Sequence, residues 1–231
     1  TLPQRLQRLE AFTTNLYANP LLTAVYIGYD NGDYFLVSPL TKATLRQSYH
    51  APEQAKYVIR TLLEQAGEKR THQLLFYDQH LNLIEQRIDP DYVYDPRQRP
   101  WYNNALATTD VAISKPYIYA DTPLMGVTLS MRSSNSHAIV AMDLPLNGIK
   151  DALQQLSITP HSQIALVDSQ GEVIGVNMGS AIDQVTSTTQ APALQHLENT
   201  ALLQLWQLPS QTQVMTYQAD DQQWLGRKIE L

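Results

Sequence analysis

The chain has 231 residues, a hydrophobic fraction of 43% and a formal net charge of −6, enough for one large domain or two small ones with a real core. Cysteine is absent, which excludes disulfides, thiol nucleophiles and thiolate metal sites and suits a compartment where stray thiols would oxidise. No run of Lys and Arg marks a nucleic-acid footprint, and no apolar run approaches the roughly 20 residues that span a bilayer.

Taken in chain order, Leu2, Leu6, Leu9, Phe12 and Leu16 recur at steps of three and four, so the spacing predicts a helix over 3–18 that ends at Asn19-Pro20. Ala24–Tyr29 and Tyr34–Ser38 are β-rich runs joined through Asn31-Gly32, a hairpin signal. Ala55, Val58, Ile59, Leu62, Leu63 and Ala66 share one helical face, which predicts a helix near 52–67 stopped by Gly67. Strands are expected at 74–78, 83–88, 113–119, 126–132 and 137–144, then a helix over 145–156 with Ile149, Ala152, Leu153 and Leu156 on one side. Ser157-Ile158-Thr159-Pro160 reads as a domain boundary. Beyond it, 163–168 and 173–177 repeat the first hairpin's pattern around Gly171, followed by a helix over 191–207 and closing strands at 212–218 and 222–231. The expected fold class is α+β with mostly antiparallel sheets. With no initiator Met or signal peptide, and Lys228–Leu231 reading as mid-strand, the sequence is expected to be part of a longer protein.

The densest stretch is Tyr94-Asp95-Pro96-Arg97-Gln98-Arg99-Pro100-Trp101-Tyr102. Each proline fixes its own φ and pushes the residue before it towards extended backbone, so Asp95 and Arg99 are expected to be extended. Pro100 suits the first turn of a helix through Ala107. Arg99, the Trp101 indole and the Tyr102 hydroxyl then gather where an anion is favoured, and a planar guanidinium suits a carboxylate. The competing reading is a structural turn in which Asp95 pairs with Arg97 or Arg99 and the aromatics pack. Arg97 is assigned to structure in either case.

The segment from Tyr94 to residue 147 resembles the double Cache family of bacterial extracytoplasmic sensor domains. The resemblance implies a long N-terminal helix (1–23), a membrane-distal PAS-like module with a ligand pocket (24–156) and a smaller proximal PAS-like module (157–231). In the amino-acid-binding subgroup, Tyr94, Arg99, Trp101, Tyr102, Tyr117 and Asp143 would match the family pattern. Arg99, Trp101 and Tyr102 would contact the ligand carboxylate, and Asp143, helped by Tyr117, its ammonium. Where such members often carry an acid, two residues after the strand tyrosine, this chain has Tyr119, and the nearest acid is Asp121. The bland alternatives are that Asp143 caps the helix after it and that Tyr94, Tyr117 and Tyr119 are half-buried packing aromatics.

Catalysis is not expected. The six histidines are scattered, and no zinc-helix spacing, nucleophile elbow, P-loop or dinucleotide fingerprint occurs. No cofactor or metal is expected either. The reading is the periplasmic portion of an inner-membrane receptor, either a chemoreceptor, a histidine kinase or a diguanylate cyclase. It would bind an amino acid or similar amine-carboxylate, be membrane-tethered in the full-length protein, and have a homodimer contact through the N-terminal helix. The alternatives are a sensor of a simple carboxylate, a domain without small-molecule ligand that acts through a partner protein or dimerisation, and a small hydrolase.

Overall fold

The computed structural model describes residues 1–64, 70–120, 122, 124–177, 193–197, 199–210 and 213–229. Gly67 and Asp121 lie outside the described residues. Two compact units divide the chain at Thr1–Pro145 and Leu146–Leu231. The helix over 146–155 therefore goes with the second unit.

The first unit is built on a nine-stranded antiparallel sheet. Its strands are β1 (Ala24–Tyr29), β2 (Tyr34–Pro39), β3 (Tyr57–Leu63), β4 (Thr71–Tyr77), β5 (Leu83–Asp89), β6 (Ala112–Ile113), β7 (Tyr117–Ile118), β8 (Met125–Arg132) and β9 (Ala138–Pro145). The order β5-β4-β3-β2-β1-β9-β8-β6 puts β1 beside β9, the two ends of the unit meeting at its centre, while β7 pairs with β8. The β1–β2 hairpin forms as expected. Gly32, at φ +86°, supplies the left-handed turn conformation that side chains resist, and the Asp33 carbonyl accepts from the Tyr29 amide at 2.9 Å.

Because side chains alternate along a strand, register sorts the sheet into two faces. On one face Val25, Phe35, Val37, Ile59 and Leu75 form a core with Leu9 and Leu16 of the N-terminal helices. Those helices are α1 (Leu2–Leu6) and α2 (Leu9–Ala18), a break at 7–8 interrupting the single helix expected. Each such fully buried aliphatic or aromatic side chain stabilises the fold by about 1.5–3 kcal/mol. On the opposite face Tyr26, Tyr34, Leu36, Leu62, Ile139 and Ala141 pack beneath Trp101, Tyr102 and Ala105. The site lies on this second face.

The helix expected near 52–67 is not present. A short helix, α3 (Ala43–Ser48), comes earlier, and 57–63 is the strand β3. Val58, Ile59 and Thr61 are fully buried and Leu62 nearly so, so both faces of β3 are covered and its apolar residues run almost without interruption. In a central strand that continuity mimics helical spacing, and β-branched residues decide for the strand. The expected strand over 113–119 is split into β6 and β7. Pro116 lies between them, and a residue without an N–H cannot donate to the ladder.

The second unit contains α5 (Leu146–Gln155), β10 (Ala165–Val167), β11 (Val173–Val176), a 3₁₀ turn at Leu194–His196, α6 (Thr200–Gln207), β12 (Met215–Ala219) and β13 (Gln222–Gly226). Among the described residues its strands form two separate two-stranded ladders, β10-β11 and β12-β13. The second hairpin repeats the first, with Gly171 at φ +80° and the Asp168 carboxylate accepting from the Gln170 and Glu172 amides. The expected 191–207 helix begins later, at α6, where the Asn199 side chain accepts from the Leu202 amide at 2.9 Å.

Candidate ligand-binding site

Asp143 stands near the end of β9, on the same face as Tyr26 in the neighbouring β1 and directly opposite Thr128 in β8. It is 7% exposed. Its Oδ1 accepts from the Tyr26 hydroxyl at 2.6 Å and from the Thr128 hydroxyl at 2.6 Å. Asp143 therefore does not cap the helix after it; its side chain is held within the sheet face. Burial pushes its carboxyl up to about 7, against the opposing pull of those two hydrogen bonds and of Arg99. A buried carboxyl poised there is ready to take a cation.

Arg99 reaches this region from the loop above the sheet. Asp95 and Arg99 are both extended, as the prolines dictate, and α4 runs from Pro100 to Leu106. The Arg99 guanidinium lies 6.0 Å from the Tyr94 ring centroid and 5.7 Å from that of Tyr117, within cation–π range of both. The Tyr117 hydroxyl hydrogen-bonds with the Thr128 hydroxyl at 2.7 Å. Thr128 is thus the link between Tyr117 and Asp143. Burial raises the proton affinity of the Tyr94 and Tyr117 hydroxyls, so both stay neutral donors.

Four of the seven sequence-expected residues, Tyr94, Arg99, Tyr117 and Asp143, are therefore brought into one neighbourhood. The other three are placed differently. Trp101 is 1% exposed and packs edge-on against Tyr26, with ring centroids 5.0 Å apart; its side chain hydrogen-bonds Tyr94. Tyr102 is buried beside Gly28, and the charges acting on its hydroxyl are those of Asp30, Arg97 and Asp95. Tyr119 donates to the Val127 carbonyl at 2.9 Å and meets Tyr117 edge to face. Arg97 grips Asp95, with its Nε 2.9 Å and its Nη2 2.8 Å from the two carboxylate oxygens, the structural role expected of it.

Sequence reading missed Tyr26, Thr128 and Tyr34. The Tyr34 ring lies 4.9 Å from Tyr94 and senses Asp143. Only the pairing of β1, β9 and β8 brings the first two onto Asp143, and no local motif encodes it. Among the described residues no cluster of His, Cys, Asp or Glu is arranged to hold a metal ion, and no helix is long and apolar enough to cross a membrane.

No family model matches the chain. It is 29% identical over 175 residues to adenylate cyclase 1 of Rhizobium meliloti, covering 74% of this chain and 26% of that protein. It is 31% identical over 81 residues to the methyl-accepting chemotaxis protein McpG of Pseudomonas putida, covering 35% of this chain and 13% of that protein. The chain belongs with the Cache-type sensor domains. It spans only about a quarter or less of these relatives' length. Among solved structures it is similar to the ligand-binding domain of the Campylobacter jejuni chemoreceptor Tlp3 in complex with 4-methylisoleucine. That match has a TM-score of 0.45 at 15% identity and covers 93% of this chain and 62% of the other. For a Cache-type sensor domain, the informative part of this chain is the face that carries Asp143.

Proposed function

We propose that this chain is the extracytoplasmic sensor of a bacterial membrane receptor and that the Asp143–Arg99 pocket binds an amino acid or a similar amine-carboxylate. The observation that carries the reading is a buried carboxyl, held by Tyr26 and Thr128, on the same face as a guanidinium set over two tyrosine rings. A zwitterion needs this pair of opposite poles. Asp143 takes the ammonium with the Tyr117 ring beside it; Arg99 takes the carboxylate through parallel N–H donors. Tyr94 walls the pocket, and Trp101 orients Tyr94 from below.

Binding would shift the population between two conformers of the receptor, and the second unit would relay that shift. Membrane tethering and a homodimer contact through α1 and α2 complete the proposal, and the chain acts by binding rather than by catalysis. Calorimetry on Arg99→Ala and Asp143→Ala tests it. Arg99→Ala abolishes amino-acid binding, and Asp143→Ala abolishes it for ligands that carry an ammonium. Unchanged affinity in Arg99→Ala would overturn the site assignment.

A further inference from the structure

The sheet face that holds Asp143 carries a second polar cluster two strands beyond Tyr26. Arg60 of β3 and His72 of β4 both point to this face, since Arg60 pairs with Leu36 and His72 with Leu62. Arg60 is 6% exposed and His72 2%. The Arg60 guanidinium donates to the Tyr92 hydroxyl at 2.7 Å and lies 4.8 Å from its ring, and His72 stacks on the same ring with centroids 4.1 Å apart. Neither ring nitrogen of His72 has a hydrogen-bond partner among the described residues, although burial of such a group without a partner costs about 1–3 kcal/mol. Burial and the neighbouring Arg60 hold His72 down at about 4, so at neutral pH it offers one donor and one acceptor.

This cluster is continuous with the zwitterion site. Tyr92 stacks towards Tyr94 and Tyr94 meets Tyr34, an aromatic wall running from one cluster to the other. The Tyr34 hydroxyl senses both Asp143 and Arg60, and the Tyr92 hydroxyl senses both Arg60 and Arg99. β9 and β3 are three strand spacings apart, roughly 14 Å, and long side chains reach inward from each end. A ligand with its backbone at Asp143 and Arg99 would direct its side chain along the tyrosine wall towards Arg60.

We infer that Arg60, His72 and Tyr92 form a subsite for the side-chain end of the ligand and select amino acids whose side chain ends in a carbonyl oxygen, either carboxamide or carboxylate. The inference rests on the amino-acid reading of the Asp143–Arg99 pocket. The oxygen accepts from the guanidinium, and the His72 ring supplies the complementary donor or acceptor that burial leaves open. A purely aliphatic side chain would leave these groups unanswered.

The test is calorimetry of the whole chain with glutamine, glutamate, asparagine and aspartate against norvaline and norleucine, repeated on Arg60→Met and His72→Phe variants whose melting is checked by circular dichroism. The expected result is that at least one oxygen-ended amino acid binds about 10-fold or more tighter than the aliphatic ones. In Arg60→Met that ratio of affinities collapses towards one, and comparing glutamine with glutamate identifies the favoured end group. Aliphatic amino acids binding as tightly as, or tighter than, every oxygen-ended one in the unaltered chain would overturn the inference alone, with no variant needed. A ratio unchanged in Arg60→Met would also overturn it. A chain that binds none of the six would instead overturn the zwitterion reading on which the inference stands.

Discussion

Lowering the pH from 8 to 5.5 should weaken amino-acid binding by about 30-fold. Asp143 titrates at about 7 in the free protein because burial disfavours its charged form, and only the ionised carboxylate can hold an ammonium. The competent fraction is then about 0.9 at pH 8 and about 0.03 at pH 5.5, and apparent affinity scales with that fraction. The effect on stability has the opposite sign. The folded value of Asp143 lies above its unfolded value, so between the two the native state binds more protons. This group's contribution to stability is full at low pH and is lost as pH rises through about 7. Acid therefore loosens the ligand without this carboxyl destabilising the free protein. Calorimetry at pH 5.5, 7 and 8 in two buffers of different ionisation enthalpy reads both the affinity and the protons exchanged. Release of nearly one proton is expected at pH 5.5 and nearly none at pH 8. An affinity constant across this range, or proton uptake on binding, would refute the reasoning. Asp143→Asn should abolish the pH dependence.

Two further predictions concern the scaffold. A Cβ on Gly28 would lie 2.6 Å from the Trp101 ring and 3.0 Å from Pro96, so Gly28→Ala should cost about 1–3 kcal/mol by overpacking and lower the melting temperature; a neutral change would show that Trp101 is loosely seated. Asp33, near the β1–β2 turn, accepts from Arg5 at 2.6 Å and from the Glu64 amide at 3.0 Å, and both side chains of the ion pair are about nine-tenths covered. Asp33→Ala should destabilise by about 3 kcal/mol in denaturant titration, whereas a loss under about 0.5 kcal/mol would show that the pair is screened like a surface contact.

The features legible in the sequence were those carried by residues close in the chain. Asn31-Gly32 announced its hairpin, and Pro96 and Pro100 fixed the extended backbone at Asp95 and Arg99 and the start of α4. The Arg97–Asp95 pair, two residues apart, was equally readable. What the sequence hid depends on register between distant strands. Tyr26 is 117 residues from Asp143, and Arg60 is 32 from Tyr92, so their convergence required the sheet order. Residues 57–63 misled because a strand buried on both faces has no alternation to show. Trp101 and Tyr102 were grouped with Arg99 by adjacency, but on a short helix adjacent residues point in different directions, and both rings are seated in the core.

The central claim is that one pocket holds an ammonium at Asp143 and a carboxylate at Arg99. The direct measurement is titration of the chain, at pH 8, with an amino acid, with the amine that lacks its carboxylate and with the acid that lacks its amine. The account predicts that the intact amino acid binds and that neither fragment approaches its affinity. A carboxylic acid that binds as tightly as the amino acid would contradict it, leaving Arg99 in the site and Asp143 outside it.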